Sequence, residues 1–152
     1  MRQNMDNQQY CTFFVGGLFF GVEVMKVQEV IRYQQLTSVP LAPPEIGGLI
    51  NLRGQIVTAV RMRKRLGLPD REDDELPMNI VLTGSHGPVS LLVDEIGDVL
   101  EVQSEDFEAP PETIADEVRG LITGIFKLEG KLMLVLDTES AITVSYESKT
   151  AA

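Results

Sequence analysis

The chain has 152 residues, 43% hydrophobic and 24% charged, the balance of a soluble globular protein with room for one domain or two very small ones. Its 23 acidic and 13 basic residues leave a formal charge of -10, which weighs against a nucleic-acid or anionic-membrane binder, since both attract a positive face. One cysteine, Cys11, excludes an internal disulfide, one histidine, His86, leaves little for a metal site, and a reducing compartment is the natural setting.

Residues Met1 to Gln9 are polar and rich in Asn and Gln, unlike a signal peptide, and are expected to form a disordered segment. Tyr10 to Val15 and Leu18 to Val24 read as strands joined by Gly16-Gly17, a dipeptide suited to the positive φ angles of a tight hairpin. Val24, Val27, Val30 and Ile31 recur at three- and four-residue spacing and predict a helical turn or two, with Glu29 on its polar side. Val39 to Pro44 is a proline-rich, semi-rigid linker, and Gly47-Gly48 reads as a turn. Gln55 to Met62 predicts a strand, and Arg61 to Leu66 a short helix stopped by Gly67. Asp70 to Glu75 is an acidic loop. Met78 to Thr83 and Pro88 to Val93 flank Gly84-Ser85-His86-Gly87 as a second hairpin, and Asp98 to Gln103 is a further strand. Short helices are expected at Thr113 to Val118 and Thr138 to Ile142. Leu121 to Lys127 and Lys131 to Leu136 make a third hairpin, and Tyr146 to Ala152 a flexible tail. Many short strands with turn residues between them predict an all-β chain with a few short helices, a barrel or sandwich.

None of the usual catalytic arrangements stands out. His86 lies in a glycine-rich turn beside Ser85, where adjacent side chains are expected to diverge, and Cys11 alternates with aromatics as a small core filler. From Asp94 to Glu117 there are ten acids and no base, read as a solvated or partner-facing surface. Asp94, Glu95 and Asp98 match no calcium-loop spacing. Arg61, Arg63, Lys64 and Arg65 form the one dense basic cluster, expected on the solvated face of a short helix. No glycine run has the spacing of a phosphate loop, so no cofactor is expected. Arg53, in Asn51-Leu52-Arg53-Gly54 between two strand-rich segments, is placed to pair bidentately with a carboxylate, and Glu29 is the candidate mate.

Three stretches carry a resemblance: Lys26-Val27-Gln28-Glu29-Val30-Ile31, then Val39-Pro40 with Pro43 and Gly48 to Val57, then Leu91 to Leu100. In this order they resemble the CheW family of bacterial chemotaxis coupling proteins, from about Tyr10 to Ile142. The resemblance implies two packed five-stranded SH3-like β-barrels within one domain over residues 10–145, without catalysis, metal or cofactor. It implies a cytoplasmic adaptor at membrane-associated arrays, tying the signalling tip of transmembrane chemoreceptors to the regulatory domain of a histidine autokinase, with further coupling-protein copies in rings. It implies neither nucleic acid nor membrane insertion. Receptor contact would fall to Val27, Glu29, Gly48, Arg53 and Val99, and kinase contact to the region of Glu108 and Thr113. The family's usual proline and aspartate are replaced by Thr58 and Arg61. A pilus-motility or other chemosensory pathway is the alternative setting, and a small-ligand barrel or carboxylate hydrolase the rival class.

Overall fold

A computed structural model describes residues 7–72 and 75–143. Ten strands form two five-stranded sheets: β1 (Asn7–Val15), β2 (Leu18–Glu23), β3 (Val27–Ile31), β4 (Ile46–Leu52), β5 (Gln55–Arg61), β6 (Met78–Leu82), β7 (Val89–Val93), β8 (Glu95–Gln103), β9 (Ile122–Leu128) and β10 (Lys131–Leu136). One sheet runs β8-β1-β2-β10-β9 and the other β3-β6-β7-β5-β4. The whole second sheet is therefore inserted between β2 and β8, and the chain returns afterwards to complete the first.

Each sheet curls until its outer strands meet, which makes it an SH3-like barrel. In the first, Glu108, beyond the end of β8, exchanges two backbone hydrogen bonds with Ile125 of β9, at 2.9 and 2.8 Å. Phe107 beside it lies over Gly124, where a Cβ would collide with the ring, and packs edge-on against Phe126 at 5.4 Å. In the second barrel the chain leaving β3 folds back so that Thr37 pairs with Leu49 of β4, at 2.9 and 2.8 Å. Closure in both cases removes an open sheet edge.

Alternation along the strands explains how the barrels pack. On β1, Tyr10 and Phe14 face a cluster with Phe19, Phe126, Met133 and Val135, whereas Cys11, Phe13 and Val15 face the other way. The second barrel keeps its own cluster of Ile50, Leu52, Val57 and Val81. The remaining faces of both meet in one shared core, where Phe13, Val15, Phe20 and Leu134 join Val60, Met62, Ile80, Leu91 and Val93. Burying both faces of each sheet is what lets a chain this short support two barrels.

Several expectations are corrected. Val24–Lys26 is one 3-10 turn and Val27–Ile31 is a strand. The β-branched residues alternate, so Val27, Glu29 and Ile31 are half-buried while Gln28 and Val30 are exposed. A register shift between Val27 and Glu29 lets the spacing mimic a helix. Asn7 to Gln9 pair with β8 and extend the first strand; residues 1–6 and the expected tail at 146–152 lie outside the described residues. β4 was hidden by Gly47-Gly48. A Cβ on Gly48 (φ 141°) would stand 2.6 Å from the Thr37 carbonyl oxygen, so glycine marks the close approach of a neighbouring backbone, not a turn. β8 begins at Glu95, and the helix expected at Thr113 to Val118 forms at Asp116–Arg119. The three hairpins form as expected, as do the helices at Met62–Arg65 and residues 138–143.

Candidate functional site

The β4–β5 hairpin turns through Arg53 and Gly54, at φ 53° and 87°, between the paired residues Leu52 and Gln55. Positive φ at both central residues is the type I′ geometry, normally filled by Asn-Gly. An arginine held there carries about 1–2 kcal/mol of backbone strain. The Asn51 side chain accepts a 2.8 Å hydrogen bond from the Gly54 amide and fixes the turn. Across the barrel seam the Arg53 guanidinium donates to both Glu29 carboxylate oxygens, at 2.7 and 2.6 Å through Nη2 and 3.2 Å through Nη1. Glu29 is largely covered, with its side chain 19% exposed, whereas Arg53 is 70% exposed. The carboxylate thus holds the base of a cation whose outer edge faces solvent, a charged handle on a rigid hairpin.

The other predicted contact residues are placed as follows. Val27 is half-buried against the shared core. Gly48 is buried under Thr37 and serves to seat that segment. Val99 is exposed on β8, in the first barrel. The structure therefore unites Glu29 with Arg53 in the second barrel and puts Val99 on the other. Glu108 closes the first barrel and pairs with Lys127 at 3.3 Å. Thr113 is exposed at the rim of an apolar pocket of about 460 Å³ lined by Leu18, Phe19, Ile114, Val118, Leu132 and Leu134.

Asp94 is the residue the sequence left without a role. It lies between β7 and β8, where the chain crosses from one barrel to the other. One oxygen accepts from the Gly16 amide of the β1–β2 turn at 2.7 Å and from Arg63 Nη2 at 2.7 Å. The other accepts from Arg63 Nε at 3.0 Å and from Arg71 at 3.1 and 2.7 Å. Burial works to raise its pKa, but the hydrogen bonds from Arg63, Gly16 and Arg71 outweigh it and bring the carboxyl from 3.8 down to about 2. Arg63 in turn is held protonated more firmly by its bond to Asp94.

The expected solvated face of basic residues is thereby corrected. Arg63 is locked into this clasp, Arg65 donates to the Ser140 carbonyl, Arg61 to the Pro44 carbonyl at 3.3 Å, and Lys64 pairs with Asp70 at 3.3 Å. A dense basic run after one strand, Arg61 to Arg65, with an acid directly after the apolar Leu91-Leu92-Val93 end of another, was the available signal. Ser85 Oγ and His86 Nδ1 also do not diverge. A tight turn, closed by the Gly87 amide on the Gly84 carbonyl, brings them to 3.1 Å at an exposed position. Among the described residues no cluster of three or more His, Cys, Asp or Glu is placed to hold a metal ion, and no helix is long and apolar enough to cross a membrane.

Residues 9–145 match the family model of the CheW-like domain. The chain is 30% identical over 135 residues to the chemotaxis protein CheW of Bacillus subtilis, covering 89% of this chain and 86% of that one. It is 31% identical over 133 residues to its counterpart from Rhizobium meliloti, with 88% and 86% coverage. Among solved structures, the scaffolding protein TtCheW of Thermoanaerobacter tengcongensis superposes with a TM-score of 0.76 at 26% identity, covering 86% of this chain and 88% of that one. Two interlocked barrels, the hairpin-tip arginine and a match across nearly the whole length agree, and the chain belongs to the CheW family of chemotaxis coupling proteins.

Proposed function

We propose that this chain is a non-enzymatic, cytoplasmic adaptor that couples chemoreceptor state to a histidine autokinase in membrane-associated arrays. The observation that carries the reading is the Glu29–Arg53 clamp. It is a strained, exposed arginine oriented by a covered carboxylate, with no reactive partner but with a directed charge to offer. Recognition of a helical receptor tip requires apolar contact with charged groups at its margin to fix register. Val99 supplies exposed apolar surface and Arg53 the charge. The apolar pocket beside Thr113, on the first barrel and so on the opposite barrel from Arg53, supports a second contact, to the kinase regulatory domain. Each contact would be modest, and simultaneous engagement supplies the avidity of an array.

Arg53→Glu tests this in reconstituted receptor–kinase assemblies. Arg53 is 70% exposed, so a glutamate there can turn into solvent away from the covered Glu29, and the fold should lose only about 1–2 kcal/mol. Receptor control of kinase activity and pull-down by a receptor signalling fragment should both be lost. Normal receptor-controlled activity in the variant would refute the role, and turnover of a small molecule by the wild-type chain would refute the class.

A further inference from the structure

We propose that Leu41 is an anchor residue, presented by the turn Val39–Ala42 to an apolar socket on the kinase partner; this rests on the adaptor reading above. Leu41 is fully exposed and one of two non-glycine residues with positive φ among the described residues, at 65°. The turn is type II. Pro40 sets the first central position, Leu41 takes the second, and the Ala42 amide donates to the Val39 carbonyl at 3.3 Å. That second position favours glycine or asparagine, because a Cβ there crowds the backbone.

Folding gives no reason for leucine at this point. It is strained and buries nothing in the free chain. Nor is its outward pose a matter of slack. Val39 and Ala42 on either side pack against the shared core, the Ile46 amide donates to the Pro43 carbonyl at 2.9 Å, and Arg61 Nη1 donates to the Pro44 carbonyl at 3.3 Å. A rigid mount that holds an apolar side chain away from its own protein, in a conformation unfavourable to it, is a binding feature.

The occupant follows from position and charge. The turn feeds the start of β4 and Arg53 follows its end, so about 20 Å of strand at 3.3 Å per residue lies between the turn and the clamp assigned to the receptor. That distance leaves this end clear of the receptor and open to the kinase, whose other contact is the pocket beside Thr113 on the first barrel. Residues 33–44 include twelve consecutive uncharged positions in a chain of net charge -10, which suits an apolar, uncharged socket and offers no cationic patch for a lipid surface.

The test is calorimetric titration of the purified full chain with the kinase regulatory domain, and separately with a receptor signalling fragment. Leu41→Asn accepts the backbone conformation but removes the apolar anchor, whereas Leu41→Met keeps it. For Leu41→Asn the expectation is about tenfold or more weaker kinase binding, unchanged receptor binding, and a Tm equal to or above wild type. Leu41→Met should bind within about threefold of wild type. Kinase binding by Leu41→Asn equal to wild type overturns the assignment while the adaptor reading stands. So does loss confined to receptor binding, or to self-association seen by sedimentation. Failure of the wild-type chain to bind either partner overturns both.

Discussion

Replacing Asp94 by Asn keeps the shape of the side chain and removes the charge that two guanidiniums share. The side chains of Asp94, Arg63 and Arg71 are only 18, 20 and 16% exposed, so the cations left behind remain poorly solvated. The fall in pKa from 3.8 to about 2 corresponds to roughly 2.4 kcal/mol at 1.36 kcal/mol per unit. Screening at a site still partly open reduces this to about 1–2 kcal/mol. Urea unfolding at pH 7 should show Asp94→Asn less stable by that amount, with Tm lower by about 2–8 °C. The carboxyl holds its proton less tightly folded than unfolded, so its contribution is complete above about pH 4 and disappears as pH falls toward about 2. Wild type and variant should therefore converge across that window. No difference at pH 7, or a gap of constant size down to pH 2, would refute the assignment of the clasp.

Gly48→Ala places a Cβ against the Thr37 carbonyl at a φ that L-residues avoid, and should lower stability by about 2 kcal/mol or more in chemical denaturation; a variant as stable as wild type would show that the Thr37 segment yields. Arg53→Gly relieves the hairpin strain, so thermal unfolding should stay within about 1 kcal/mol of wild type while receptor coupling is lost. Retained coupling would show that the turn, not the guanidinium, is recognised.

The strands that alternate and end in glycine turns were legible in the sequence because their determinants are local. Gly16-Gly17 and Gly130 take positive φ where the hairpins need it. The pairing of Glu29 with Arg53 was also legible, since a bidentate arginine beside a turn needs a carboxylate. The helix reading of Val24 to Ile31 failed for a nonlocal reason. β6 supplies the hydrogen-bond ladder, and the local register shift makes strand spacing resemble a helical one. β4 was hidden because its two glycines answer to Thr37 and Leu92, residues remote in sequence. The Asp94 clasp was invisible for the same reason, because its donors lie 23, 31 and 78 positions away.

The insertion of one barrel within the other explains why such a clasp belongs where it does. With β3 to β7 placed between β2 and β8, the chain crosses the seam twice, and Asp94 stands on the return crossing. Its bonds reach the β1–β2 turn of the first barrel and the helix and loop that follow β5 of the second. Leu68, from that same loop, packs close over Gly16. The shared core resists separation of the barrels but is nondirectional, whereas five hydrogen bonds on one carboxylate resist rotation. An adaptor that reports a contact on one barrel to a contact on the other needs this second property, because a free swivel would leave both interfaces intact and transmit nothing between them.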